Sequence, residues 1–248
     1  MKNNCLLLIL VTFFLATSCV SKKKIVYLQG SQNFTTISSN YEPLIQNDDM
    51  LSIYVSSLDP EASAPFNLGN NIQSATINIL QNYLVDNKGN IEFPVIGTTA
   101  VSGYSIDGLK ILLTEKLKKY IKDPVLNIRI SNFKVTVLGE VANPGVKTTT
   151  GQRFTLLDAI ALSGDLTLFG QRENILVIRD FQGLKTFNRV DITKADFVNS
   201  PFYYLDQNDV IYVEARKVKI DSTAIGSNIT TGISIIGFAL SLILLITR

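Results

Sequence analysis

Apolar residues alternate with polar ones at Leu51, Ile53 and Val55, and again from Thr76 to Val85. A spacing of two puts alternate side chains on one face of a strand, so both stretches are predicted strands. Gln46-Asn47-Asp48-Asp49 is a turn signal ahead of the first. Asp86-Asn87-Lys88-Gly89-Asn90 is another, and Ile91-Glu92-Phe93 returns the chain, so 76–93 reads as a hairpin. Ser57 to Ser74 carries Pro60, Pro65 and Gly69 among polar residues and reads as a loop or insertion. The period then changes. Ile106, Leu109, Leu112, Leu113, Leu117, Tyr120 and Ile121 recur at helical spacing, with Ser105 placed to cap and Asp123-Pro124 to stop. Lys116, Lys118, Lys119 and Lys122 fill the other face and last turns, as a solvated helix end does. Val125 to Ile130 is the next strand.

A second patterned block follows. Val135 and Val137 lie on a strand that ends at Leu138-Gly139, and Asn143-Pro144-Gly145 is a turn. Thr155 with Asp158 three residues on makes a capping box for a short helix with a stripe of Leu156, Leu157, Ile160 and Ala161, and Gly164 ends it. Strands follow at 175–178, 186–190 and 210–213. This order predicts an α+β unit with one helix across a mixed sheet. The blocks divide at 41–131 and 132–215. One echo links them: Gln46-Asn47-Asp48-Asp49 resembles Gln207-Asn208-Asp209, each a polar turn feeding an apolar strand. Carboxylates in such turns bond backbone N–H groups, which is a structural role.

The two ends have a different texture. Lys2, then ten mostly apolar residues from Leu6 to Leu15, then Ala16, Thr17 and Ser18 form a secretory signal over 1–18. Ten helical residues span roughly 15 Å, too little for a bilayer core of about 30 Å. Leu15-Ala16-Thr17-Ser18-Cys19 resembles a bacterial lipobox, in which Cys19 becomes the lipidated N-terminus; the other reading is an ordinary signal with an incidental cysteine. Residues 19–40 are polar and read as a tether. Lys22, Lys23 and Lys24 at its start suit either anionic lipid head groups or a solvated linker.

Residues 222–247 carry no charge and read as a C-terminal membrane helix; Ile229 to Ile246 is just long enough to span. Thr230, Ser234, Gly237 and Ser241 fall within about 60° of one another on its helical wheel. Such a stripe serves helix packing in a membrane or a wet lumen, with Ile235, Phe238, Leu242 and Leu245 toward lipid. In a simple anchor, the hydroxyls would instead bond back to their own helix.

Composition narrows the chemistry. There is no histidine, which excludes Ser-His-Asp and Cys-His catalysis and histidine metal sites. Cys5 and Cys19, both near the N-terminus, leave no disulfide framework or cysteine metal cluster. A net charge of +2 gives no footprint for nucleic acid. No residue pattern calls for a cofactor or a metal. Acid–base work on a glycan would need paired carboxylates, and Asp48 with Asp49 or Glu140 with Asp165 are the candidates. Twenty-one acidic residues make chance pairs inevitable, so no catalytic residue is assigned.

The segment Tyr83-Leu84-Val85-Asp86-Asn87-Lys88-Gly89-Asn90-Ile91-Glu92-Phe93-Pro94-Val95-Ile96-Gly97, followed by the Ser105 helix and Asp123-Pro124-Val125, is similar to the export domain of the outer-membrane polysaccharide export lipoproteins of Gram-negative bacteria. The segment Val135 to Gly145, then Leu156 to Gly164, resembles the soluble-ligand-binding β-grasp (SLBB) domain that accompanies it. The resemblance covers about Tyr41 to Ala215. It implies a lipid-anchored protein of the outer membrane with its soluble domains in the periplasm. It also implies a homo-oligomeric ring whose terminal helices form a pore for capsular polysaccharide or exopolysaccharide, fed by an inner-membrane polysaccharide co-polymerase or tyrosine kinase. Two departures stand out: one β-grasp domain where longer members carry more, and a terminal helix more apolar than an amphipathic pore helix needs to be. The alternative function is a membrane-anchored glycan-binding or scaffold protein of the envelope without a pore.

Overall fold

The computed structural model describes residues 25–30, 35, 41–67, 82–181, 183–224, 234–235, 237–238 and 241. In the first unit, β1 (Met50–Ser56) lies at the centre of a three-stranded antiparallel sheet between β2 (Tyr83–Leu84) and β5 (Val125–Ile130). The alternation seen in the sequence sorts the faces: Leu51, Ile53 and Val55 are buried. They pack in one cluster with Leu109, Leu113 and Leu117 of α2 (Ile106–Leu117). Each of those three leucines is fully buried, which stabilises the unit by about 1.5–3 kcal/mol per side chain. Ser105 caps α2 by accepting from the Gly108 N–H at 3.2 Å. The helix stops at Leu117, short of the expected Ile121, because the chain turns left-handed at Asp123 (φ +50) before Pro124. Ile121 still reaches the core through bonds from the Tyr120 and Ile121 N–H groups to the Leu117 carbonyl.

Two sequence expectations are corrected here. The stretch 57–74, read as a loop or insertion, holds within its described part the short helix α1 (Pro60–Ser63) and a 3-10 turn over Ala64–Phe66. Asp59 caps α1 at the Glu61 and Ala62 N–H groups, and Pro60 occupies the first helical position, where its fixed φ suits the start. The expected hairpin of 76–85 with 91–93 does not form among the described residues. The Asp86–Asn90 turn is present, but its two flanks pair elsewhere. β2 joins β1, while β3 (Asn90–Phe93) pairs with β4 (Gly97–Ala100) across a three-residue γ-turn centred on Val95 at φ +66. Alternation fixes which face is buried, not which strand is the partner. Most of 76–85 lies outside the described residues.

The second unit is a five-stranded mixed sheet in the order β7-β6-β10-β8-β9. Here β6 is Lys134–Gly139, β7 Gly145–Thr148, β8 Gly170–Phe181, β9 Leu184–Val190 and β10 Val210–Ala215. The central pair β6 and β10 is parallel and every other pairing is antiparallel. The helix α3 (Leu156–Leu162) crosses one face, burying Leu156, Ala159 and Ile160 against Val135, Val137, Ile175, Val177, Ile211 and Val213. Its capping box forms as the sequence predicts: Thr155 Oγ1 accepts from the Asp158 N–H and Asp158 Oδ2 from the Thr155 N–H, each at 3.0 Å. Gly139 (φ +90) ends β6 where an added Cβ would lie 2.0 Å from the Val213 carbonyl oxygen, so no other residue fits. The α+β reading therefore holds for both units.

Asn132 joins them. Its Oδ1 accepts from the Met50 N–H and its Nδ2 donates to the Asp48 carbonyl. From the other side, Gln207 donates to the Asn132 carbonyl and accepts from the Lys134 N–H. Tyr41 adds a second link, stacked on Tyr204 at 4.7 Å with its hydroxyl donating to Asp206 and the Leu205 carbonyl. Inside the stretch read as a tether, residues 25–30 dock on the second unit. Leu28 and Gln29 donate to the Ile192 and Thr193 carbonyls, and Gln29 accepts from Ala195. Tyr27 lies under the buried Arg172 guanidinium and donates to Asp165.

After β10 comes a helix the sequence reading lacked, α4 (Lys217–Ala224), held to the sheet by the Lys219–Glu140 ion pair. Among the described residues no helix is long and apolar enough to cross a membrane. The membrane helix expected over 222–247 falls largely outside those residues.

Candidate functional site

The echo between the two blocks is a structural repeat. In the first turn Asp48 stands at φ +67, its N–H donating to the Val85 carbonyl, while Asp49 Oδ2 accepts from the Gln46 N–H at 2.8 Å. In the second, Asn208 stands at φ +64, its N–H donating to the Lys134 carbonyl, while Asp209 Oδ2 accepts from the Asp206 N–H at 2.9 Å. Asn and Asp tolerate the left-handed conformation, and the carboxylate that follows closes the turn on the N–H three residues back. The correspondence is Asp48 to Asn208 and Asp49 to Asp209. It is offset by one from the letter match of Gln46 with Gln207.

The two buried carboxylates differ in their surroundings. Arg179 holds Asp209 in a fork, Nε to Oδ1 at 3.0 Å and Nη2 to Oδ2 at 2.7 Å, and also pairs with Asp206 at 2.9 Å. Burial raises the Asp209 pKa and the Arg179 contact opposes that rise. Asp49 is fully buried and its Oδ1 has no hydrogen-bond partner among the described residues. Burial pushes its pKa up to about 6; the Gln46 N–H opposes the rise and the neighbouring Asp48 charge adds to it.

Both turns open onto one cleft of about 560 Å³ between the two units. The Asp86–Asn90 loop forms another wall. Asp86 accepts from the Lys88 and Asn90 N–H groups at 2.8 Å, bonds that hold its pKa below the usual carboxylate range. Gly89 (φ +79) presses on Ser102, where an added Cβ would come within 2.6 Å of the Ser102 Cβ. The β8–β9 hairpin tip closes the far side, with Asp180 accepting from the Gly183 N–H and paired with Lys185. Gln46, Asn87 and Asn208 bring carboxamides to the cleft, and Asp48 and Lys88 bring one charge of each sign. Among the described residues lining the cleft, no nucleophile is paired with a base. No group of three His, Cys, Asp or Glu stands close enough to hold a metal among the described residues.

The residues singled out from the sequence fall in separate places. Asp48 reaches the cleft but Asp49 is consumed by its turn. Glu140 accepts from Thr167 Oγ1 at 2.7 Å and pairs with Lys219; these bonds hold its pKa below the usual range. Asp165, at φ +72, accepts from Tyr27. So Asp49, Glu140 and Asp165 each have their own structural partner, and Asp48 stands apart from them in the cleft. Cys19 and Thr230 lie outside the described residues. Ser234, Gly237 and Ser241 are helical and exposed, and Ser241 Oγ donates to the Phe238 carbonyl of its own helix at 2.7 Å. The sequence reading missed Asn132, Arg179 and Tyr27, and named Gln207 only as part of the turn echo, not for its bonds to Asn132 and Lys134. A lone arginine inside an apolar strand, as at Ile178-Arg179, was the available signal for one of them.

Comparison with known proteins accounts for this layout. Residues 37–131 match the family described as polysaccharide biosynthesis/export protein, and residues 133–213 match the SLBB domain. The chain belongs to the polysaccharide export family. It is a family of transport proteins, not of enzymes. Curated relatives of this export-family protein include the EPS I polysaccharide export outer membrane proteins EpsA of Ralstonia solanacearum and Ralstonia nicotianae. Each is 28% identical over 101 residues, 39% of this chain. The matched part spans 27% and 26% of those relatives' own lengths.

Proposed function

We propose that this protein is an outer-membrane lipoprotein whose copies assemble into a conduit for capsular polysaccharide or exopolysaccharide. The observation that carries the reading is the direct succession of an export domain and an SLBB domain, joined through Asn132. The relatives' names support an outer-membrane location and a polysaccharide cargo. Lipidation at Cys19 and membrane insertion through 222–247 complete the proposal. An inner-membrane polysaccharide co-polymerase or tyrosine kinase is the partner that would deliver the glycan. No catalysis is needed, which agrees with every candidate carboxylate having a structural partner or standing alone in the cleft.

The test is deletion and complementation in the producing cell, with images of the detergent-solubilised full chain. Loss of surface glycan on deletion, together with ring-shaped particles, supports the conduit. Normal export without the protein would sink the export reading. The Ser241 bond to its own helix carbonyl favours a second reading, an anchored glycan-binding scaffold without a pore. Particle mass separates the two, because a conduit must oligomerise. Gly237→Leu should weaken assembly if the stripe of Thr230, Ser234, Gly237 and Ser241 packs against neighbouring helices, and should be silent in a simple anchor.

A further inference from the structure

We infer that the cleft between the export and SLBB domains is a weak binding site for a short, uncharged, hydroxyl-rich saccharide segment. The inference rests on the export reading and adds a site to it. At about 560 Å³ the cleft has the size of a small-ligand pocket, roughly 300–1,000 Å³, and like many such pockets it lies where two domains meet.

The chemistry of its walls is selective. Gln46, Asn87 and Asn208 come from three separate turns and two domains, and none of their side chains has a hydrogen-bond partner among the described residues. Asparagines that serve the fold behave differently: Asn47, Asn67 and Asn132 each donate to a backbone carbonyl. A carboxamide offers donors and an acceptor side by side, which matches sugar hydroxyls that both donate and accept. Charge is nearly balanced. Lys88 and Asp48 line it with opposite charges, and Asp180 is already paired with Lys185, so among the described residues no cationic cluster lines the cleft to draw a polyanion.

Backbone geometry converges on the same place. Asp48, Gly89, Gly103, Gly183 and Asn208 all line the cleft and all have φ between +64 and +84. A side chain added at Gly103 or Gly183 would meet nothing within 4 Å, so at both lining points the backbone is unobstructed and a ligand can approach it closely. Among the described residues no aromatic ring lines the cleft, so they offer no stacking contribution to affinity. Weak binding suits a translocated chain, which must be held well enough to enter and loosely enough to leave.

The experiment is saturation-transfer NMR on the full chain in mild detergent, with cellobiose, lactose and mannobiose as neutral probes and digalacturonate as the anionic one. Transfer to at least one neutral probe is expected, with a Kd on the order of 1 mM. The pair Asn87→Ala with Asn208→Gly should weaken it about fivefold or more, since glycine keeps the left-handed backbone at 208 and removes the amide. Tyrosine circular dichroism and the thermal midpoint check that the variant is folded. The inference is overturned if no neutral probe receives saturation, if the double variant binds as wild type does, or if digalacturonate binds more tightly than all three. Export in the deletion strain is scored separately. If export needs the protein but no saccharide binds the cleft, this inference fails and the export reading stands.

Discussion

Asp49 offers a sharp test of how the two turns differ. Its carboxylate is buried without a cation, whereas the equivalent Asp209 has Arg179. Burial raises the folded-state pKa to about 6 from a reference of 3.8. Below pH 3.8 the acid is protonated in both folded and unfolded chains and imposes no penalty. As pH rises toward 6, the unfolded chain releases its proton first, so the folded state loses relative stability across that window. Above about 6 both states are ionised and the loss is complete. At about 1.4 kcal/mol per pK unit, a rise of roughly two units corresponds to at most about 3 kcal/mol. Asp49→Asn keeps an oxygen for the Gln46 N–H and cannot ionise. Its new NH₂ group offsets part of the gain, by about 1 kcal/mol, if it finds no acceptor. Urea unfolding of wild type and variant from pH 3 to pH 8, followed by tyrosine emission because the chain has no tryptophan, gives the difference curve. That difference should rise by about 2–3 kcal/mol between pH 4 and pH 6.5 and then level off. Carboxylates not coupled to Asp49 contribute equally to both proteins and cancel, and the interaction with Asp48 is part of the Asp49 difference. Parallel profiles through the window would refute the argument that Asp49 is ionised at a cost.

Other expected outcomes follow from single contacts. Arg179→Ala strands the buried Asp209 and should cost about 3–5 kcal/mol in chemical unfolding, far more than loss of the exposed Lys185–Asp180 pair by Lys185→Ala. Gly139→Ala drives a methyl group into the Val213 carbonyl and should cost at least about 3 kcal/mol; Gly183→Ala, also at positive φ but in open space, should cost only about 1 kcal/mol, as thermal unfolding would show. Thr155→Ala removes one half of the capping box and should cost about 1 kcal/mol by the same measurement. Cys19→Ala should leave an unlipidated precursor or a mislocalised protein; intact-mass analysis finding an unmodified wild-type N-terminus at another residue would exclude acylation there.

Local chemistry was legible in the chain where a few adjacent residues suffice. The Ser105 and Thr155 caps, the period-two strands β1, β6 and β10, and the Asp86–Asn90 turn formed where the side chains predict them. Each depends on hydrogen bonds or burial within one or two turns of backbone. The export and SLBB domains were recognisable by the resemblance of their contiguous segments, Tyr83 to Gly97, Val135 to Gly145 and Leu156 to Gly164, to a known family. Strand partnership was not legible. Thr76–Val85 alternates whichever strand it meets, and only tertiary packing sent β2 to β1 and β3 to β4. The repeat of Asp48-Asp49 with Asn208-Asp209 was visible as letters but off by one, because the backbone conformation and not the residue name defines the correspondence. Arg179, Asn132 and Gln207 lie far in sequence from the groups they satisfy, so their roles appear only when long-range folding brings those groups within 3 Å or so. The cleft is the extreme case. Its walls come from turns more than 150 residues apart, from Gln46 to Asn208. No pattern along the chain marks a space that exists only once the two domains are set against each other.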